Sequence, residues 1–365
     1  MGYFEKYTSN TIGAGGNQLY FAAEQPRTCR VFYKITAGGT YDYALLFSNI
    51  MDSTYADGSI SHKNLICEPW TIHSASIARC AGLNWRGEAV CEAVSLNEVK
   101  HLTFGGKVEK RVAPGEFFAS DAVEMTFETG EYLCLEMTVS GKKLPYHEES
   151  ILPIFVKDGD MWLYDKHMPL PGMVGCARKV DKKVGFFGDS ITQGIGTEPN
   201  AYTHWNAVAA SALGEKYAFW NLGIGYGRAN DAASDGAWMY KAKHNDWVVV
   251  CFGVNDIFQI QDEERIKKDL MTIVKTLKGY GAKVLVQTVP PFDYEGEKIG
   301  IWQSVNEFIF DVIAKEADAV FDAASVLALS ENEPHKAKYG GHPDAEGCKA
   351  WGEALAPVLE KLLME

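Results

Sequence analysis

The sequence predicts two halves of different class: an all-β N-terminal half, then an α/β half built on a parallel sheet. Three observations carry this. In the first 150 residues, short runs rich in Val, Phe, Tyr, Thr and Leu recur between turn signals, and no long stretch shows helical period. From Lys182 onward, short apolar runs alternate with helical stretches, the pattern of a parallel sheet covered by helices on both faces. Between the two lies a proline-broken, apolar stretch. A chain of 365 residues is long for one domain. The division expected is therefore 1–150, a connecting segment 151–180, and 181–365.

In the first half the candidate strands are 29–35, 43–47, 117–119, 123–127 and 132–139, punctuated by Gly38-Gly39, Asp57-Gly58, Gly105-Gly106, Gly130 and Gly141. A jelly-roll-like β-sandwich accounts for them best. Tyr33, Tyr41, Tyr43 and Trp70 would suit a sugar groove but are expected mostly in the core. In the connecting segment, Pro153, Pro169 and Pro171 break any helix, and Trp162 and Tyr164 are candidates to pin the strap against a domain.

In the second half the candidate strands are 184–187, 218–222, 247–252, 284–289 and 319–321. Candidate helices lie at 202–213, 228–240, 263–280, 301–317 and after Asp344. The third of these candidate helices shows the period plainly: Ile266, Leu270, Ile273, Val274 and Leu277 form one apolar face, and Gly281 stops the helix. Pro357 is expected to kink or split the last helix.

Composition excludes several function classes. Hydrophobic content of 47% and charged content of 23% suit a globular protein with a large core. The net charge is −13, from 35 basic and 48 acidic residues, which argues against nucleic acid and anionic membranes as main partners. No apolar stretch reaches the ~20 residues of a membrane helix. The N-terminus lacks the basic and apolar regions of a signal peptide, so a cytoplasmic protein is expected. Eight scattered cysteines with no C-x-x-C pair are read as reduced core residues, and no metal site is expected. A homo-oligomer is left open.

The chemistry is carried by four stretches. The first strand ends in Gly188-Asp189-Ser190, a sharp turn with a hydroxyl at its tip, where open α/β sheets build their sites. Taken alone it is equally a turn in which Asp189 or Ser190 caps the next helix. The second strand ends in Asn221-Leu222-Gly223-Ile224-Gly225-Tyr226-Gly227-Arg228, whose glycines let backbone N–H groups approach a ligand. The third ends in Gly253-Val254-Asn255-Asp256, which offers a side-chain amide at the same sheet edge. Near the end of the chain, Gly340-Gly341-His342-Pro343-Asp344 puts a histidine on a loop before a helix. A serine, a histidine base, and backbone and amide donors are the parts acyl transfer needs. His204, His244 and His335 lie away from these stretches and read as surface or capping residues. Asp256 reads as structural, and Arg228 as a brace for its loop or a ligand for a substrate carboxylate. Trp205, Trp238, Trp247 and Trp351 are expected in the core.

These four blocks, in this order, resemble the SGNH hydrolases, also called the GDSL esterase family, over about half the chain from Lys182 onward. The resemblance implies a flavodoxin-like three-layer α/β/α fold, with Ser190 as nucleophile and His342 as base. It implies an oxyanion hole from the Ser190 N–H, an N–H in the stretch Gly225, Tyr226 and Gly227, and the Asn255 amide. Asp189 and Asp256 would support it. Two positions depart from the family pattern. Tyr226 stands where the family usually has its oxyanion glycine. Tyr339 stands where it usually has the triad acid, three residues before the histidine. Asp344, Asp322 or a backbone carbonyl are the substitutes, and a Ser-His dyad is favoured narrowly because neither aspartate has the family's spacing. An all-β domain ahead of the catalytic one is similar to the layout of two-domain acetylesterases, which implies a short acyl group on a carbohydrate or small-molecule ester, with no cofactor. The alternatives are an acyltransferase using the same serine and a carbohydrate-binding protein with an inactive hydrolase half.

Overall fold

In the computed structural model, the described residues are 2–55, 60–87 and 94–365, with side chains of 54, 55 and 60–62 not described. The expected Asp57-Gly58 turn and Cys91 lie outside them. The chain divides into two compact units, Met1–Lys179 with Glu198–Ala201, and Val180–Thr197 with Tyr202–Glu365.

The first unit is all-β. Its larger sheet has seven strands and is antiparallel, centred on Leu19–Lys34, Tyr132–Tyr146 and Trp70–Cys80. A second antiparallel sheet of five strands is built around Gly39–Ser48. The two meet where Trp70 of one packs on Phe118 of the other, ring centroids 6.2 Å apart. Trp70 also donates its indole N–H to Asn49 Oδ1 at 2.9 Å, so the buried ring has its one polar atom satisfied. Tyr33, Tyr43 and Trp70 are buried, as core residues should be, while Tyr41 is half-buried.

Residues 151–180 differ from the expected connection. They supply three strands of this unit, Ile154–Asp158, Met161–Tyr164 and Met173–Cys176. The prolines do not prevent this, because Pro153, Pro169 and Pro171 all lie outside the strands, where no ladder N–H is required. Tyr164 packs on Phe155 and Trp85, and the Arg30 guanidinium lies 3.8 Å from the Trp162 ring centroid.

The second unit has a five-stranded sheet, parallel throughout. Its strands are Lys183–Gly188, Ala218–Asn221, Trp247–Cys251, Lys283–Gln287 and Ala319–Phe321, and counted along the chain they stand in the order 2-1-3-4-5. This is the flavodoxin-like order. Adjacent strand residues point to opposite faces. Phe186 meets Trp205, whose ring stacks on Trp351 at 4.6 Å, while Phe187 meets Trp238 on the other side. Helices therefore cover both faces, and all six tryptophans of this half are buried, the four expected in the core among them. Trp351 also donates to Gln287 Oε1 at 2.8 Å, fastening the helix Ala345–Leu363 to the sheet.

Two helices depart from expectation. The stretch 228–240 breaks into Ala229–Ala232 and Ala237–Ala242, because Asp235 takes a left-handed φ of 45° between them. Conversely, Ala345–Leu363 runs through Pro357 as one helix. Pro357 and Glu353, whose carbonyl loses its partner, are both exposed, so water can satisfy the orphaned oxygen. The helix Glu263–Gly279 buries the predicted face of Ile266, Leu270, Ile273, Val274 and Leu277. The seven described cysteines are buried and none is in a disulfide. Among the described residues, no helix is long and apolar enough to cross a membrane.

Candidate active site

The order 2-1-3 places the carboxyl ends of the first and third strands side by side, at the point where successive connections turn in opposite directions. Ser190 follows the first strand and Asn255 the third. Asp189 ends the turn by capping the helix Ser190–Gln193, accepting the Ile191 N–H at 3.0 Å. The turn is tight enough to require Gly188: a Cβ there would fall 2.1 Å from Thr192 Oγ1 and 2.5 Å from the Cys251 carbonyl oxygen. Asp189 thus has the capping role, and Ser190 is presented by the turn.

His342 arrives from the other end of the unit. Its Nε2 lies 2.8 Å from Ser190 Oγ. The imidazole packs edge-on against Phe292, ring centroids 5.2 Å apart at 79°. Burial lowers the His342 pKa below the ordinary histidine value, favouring the neutral ring that can accept a proton. Neither aspartate suggested as a substitute acid reaches it. Asp344 caps the helix Ala345–Leu363 by accepting the Gly347 N–H at 2.9 Å. Asp322 caps Ala323–Leu327 through the Ser325 N–H at 3.2 Å and accepts the Thr288 hydroxyl at 3.0 Å. Tyr339 packs under Gly347, where a Cβ would meet it at 2.5 Å. Among the described residues, Ser190 is the hydrogen-bond partner of the imidazole.

The loop after the second strand is bound to the serine turn by backbone and amide contacts. Gly223 sits so close that a Cβ would lie 2.1 Å from the Gln193 nitrogen. Ile224 N–H donates to the Gly188 carbonyl at 3.1 Å. Asn221 accepts the Gly223 N–H at 2.9 Å and donates to the Gln193 carbonyl at 3.3 Å, and Asn206 donates to the Thr192 carbonyl at 2.6 Å. Of the three loop N–H groups that the sequence left open, two are committed within the protein. Gly225 donates to Gln193 Oε1 at 2.7 Å, and Gly227 to the Ile224 carbonyl at 3.0 Å. Tyr226 has φ 58°, the left-handed region where glycine sits without strain and other residues cost about 1–3 kcal/mol. That backbone requirement is a physical reason for a glycine at this position, and here the chain meets it with a strained tyrosine.

Asn255 Nδ2 donates to the Gly227 carbonyl at 3.1 Å, which leaves the second amide N–H for another acceptor. Asp256 accepts the Ala229 N–H at 2.9 Å and the Asn230 N–H at 3.4 Å, tying the third-strand turn to the glycine loop. Arg228 forms a two-bond fork with Asp231, both contacts at 2.8 Å, so its guanidinium braces the loop. Burial pushes the carboxyl groups of Asp189 and Asp256 up to about 7 each, and their mutual repulsion adds to the rise at Asp189. His204 holds the N-cap position of Trp205–Leu213 but is buried and makes no side-chain capping bond, so the surface or capping role expected of it does not hold, while His335 lies in the strand Glu333–Ala337. No group of three or more His, Cys, Asp or Glu among the described residues is placed to hold a metal.

Sequence reasoning missed Gln193, Asn206 and Phe292. Phe292 had a readable signal, since it follows the fourth strand at the same sheet edge. Gln193 and Asn206 had none, because their roles depend on which loop faces them.

Residues 186–350 match the model of the GDSL-like lipase/acylhydrolase family. The second unit belongs to that family. Among solved structures, this GDSL-like domain is similar to a member of the lipolytic protein G-D-S-L family from Veillonella parvula DSM 2008, at 18% identity, covering 48% of this chain and 97% of that one, TM-score 0.38. It is also similar to a carbohydrate esterase family 3 protein from Talaromyces cellulolyticus, at 17% identity, 50% and 98% coverage and TM-score 0.38. A third is the acetyl xylan esterase AlAXEase, at 21% identity, 48% and 99% coverage and TM-score 0.40. No curated protein matches the sequence.

Proposed function

We propose that the protein is a serine esterase that cleaves short-chain carboxylic esters through a Ser190–His342 dyad, with O-acetyl groups on carbohydrate as its substrates. The observation that carries the reading is the 2.8 Å contact between Ser190 Oγ and His342 Nε2. Ser190 Oγ attacks the ester carbonyl carbon as His342 Nε2 takes the hydroxyl proton. In this reading the oxygen of the tetrahedral intermediate is held by the Ser190 N–H, a backbone N–H of the glycine loop and the second N–H of Asn255. When the intermediate collapses, the imidazolium returns its proton to the departing alkoxide. Water then attacks the acyl-serine by the same route, releasing the acid and restoring the serine. A carbonyl or solvent partner at Nδ1 would fix the tautomer without adding a full negative charge, which is what distinguishes a dyad from a triad. The carbohydrate part of the reading is supported by the layout, an all-β unit ahead of the hydrolase domain.

The test is turnover of p-nitrophenyl acetate and p-nitrophenyl octanoate by the wild-type protein and by Ser190→Ala. Acetate should be cleaved with the higher kcat/KM, and the alanine variant should cleave neither while keeping its circular dichroism spectrum. Wild-type kcat in the folded alanine variant would remove Ser190 from the mechanism, and preference for octanoate would remove the short-chain assignment.

A further inference from the structure

Two exposed aromatic side chains belong to the two segments that meet at Asn255. One belongs to Tyr226, 38% exposed, whose neighbour Gly227 accepts the Asn255 N–H. The other belongs to Phe258, also 38% exposed, three residues after Asn255 on the helix Val254–Gln259 and so on the same helical face. A single exposed ring on a surface needs no explanation. These two differ from that case in how they are held. Phe258 is the outermost of three stacked rings, lying on Tyr294 at 5.5 Å, which lies on Trp302 at 6.0 Å, and the inner two are buried. Phe292 braces it edge-on at 5.4 Å, and Phe292 is the ring that packs against His342. Phe258 is thus a backed platform joined through one ring to the catalytic base. Tyr226 keeps a bulky side chain on a left-handed backbone, where strain is stored at functional sites.

Resting on the esterase reading above, we infer that Phe258 and Tyr226 determine specificity for the alcohol side of the ester by holding a pyranoside over the Ser190–His342 pair. A pyranose presents flat C–H faces and a rim of hydroxyls. Aromatic faces interrupted by polar donors match that alternation, whereas a long acyl chain would need a continuous apolar channel. The donors are present: Asn255 has a second amide N–H beyond the one given to Gly227, and Lys298 Nζ stands 5.4 Å from the Phe258 ring centroid. An ammonium on a flexible stem over an exposed ring yields the face to a sugar and can then donate to its hydroxyls.

The experiment compares two acetate esters that share an acyl group and differ in the alcohol: ethyl acetate and a monoacetylated methyl xylopyranoside. Wild-type protein should prefer the sugar ester in kcat/KM. Phe258→Ala should lower the sugar-to-ethyl ratio by about two- to tenfold, the worth of an aromatic contact, chiefly through KM. Phe258→Trp should retain the ratio, which a general packing defect would not allow. Tyr226→Gly keeps the peptide N–H and relieves the left-handed backbone, and it too should lower the ratio. If both esters depend on Ser190 but the ratio is unchanged in Phe258→Ala and Tyr226→Gly, or wild type prefers ethyl acetate, the inference fails and the esterase reading stands. If wild type cleaves neither ester, the esterase reading fails and takes the inference with it.

Discussion

The side-chain carbonyl of Gln193 accepts the backbone N–H of Gly225 at 2.7 Å, joining the last residue of the serine helix to the glycine loop. The two come from turns after different strands, so this bond sets the spacing between the Ser190 turn and the glycine loop, the proposed nucleophile and oxyanion segments. Gln193→Ala should leave the fold intact, because the backbone contact of Gly223 with the same helix remains. It should lower kcat for an acetate ester by about ten- to a hundredfold, the scale on which a misplacement of about 1 Å acts. Steady-state kinetics with thermal melts checks this, and an unchanged kcat in a folded variant would show that the loop holds itself.

Asp344 and Asp322 both serve as helix caps. Their amides should therefore retain most activity. Asp344→Asn and Asp322→Asn are each expected to reduce kcat far less than the ~10⁴ lost when a triad aspartate is amidated. Asparagine caps a helix about as well as aspartate, so each variant should also keep its melting temperature. A loss near 10⁴ in either folded variant would name a triad acid and end the dyad.

The pH profile gives an independent reading of the same question. His342 is pushed below the ordinary histidine value by burial, and its neutral form is the base. The acid limb of kcat/KM should therefore have its midpoint below the ~6.5 of a free histidine, with activity rising as pH rises through it and level by neutral pH. A buried carboxylate at Nδ1 would stabilise the imidazolium and move the midpoint up. A midpoint above that of free histidine would contradict the dyad.

Asp256 is buried and its carboxyl is held up to about 7, against 3.8 for the unfolded chain. The folded state then binds more protons than the unfolded state between those values. Stability contributed by the protonated form is full below the unfolded pKa and is lost as pH rises through the folded one, so unfolding free energy should fall from about pH 4 to about pH 7. Asp189 adds a slope of the same sign. Asp256→Asn, which cannot ionise, should flatten this dependence in urea titrations across that window. A slope as steep as wild type would place the titration elsewhere.

Much of the hydrolase half was legible because its chemistry lies on strand ends. A parallel strand buried on both faces reads as an unbroken apolar run, so Val184–Phe187 and Trp247–Cys251 announced themselves, and their polar successors with them. The β unit was harder. Trp70–Cys80, a central strand, alternates Trp, Ile and Ala with Thr, His and Ser, and no run of strong strand formers marks it. Leu19–Lys34 extends ten residues earlier than its apolar stretch from Cys29, through Glu24 and Gln25, whose side chains are exposed and contribute no pattern. The commitment of Gly225 and Gly227 was beyond reach for another reason. It depends on partners brought near by folding, Gln193 at a separation of 32 residues among them.

The stacking of Trp351 on Trp205, and its bond to Gln287, have a consequence for how the protein acquires activity. Serine, amide and glycine loop all belong to the first three strands, while the histidine is held by the helix that Trp351 fastens. During synthesis the nucleophile is in place long before its base emerges, since 152 residues separate them. A chain without Trp351 would carry Ser190 and His342 but lack the indole that fastens the helix following the histidine. In the proposed mechanism, docking of one indole is then the step that anchors the base beside its nucleophile.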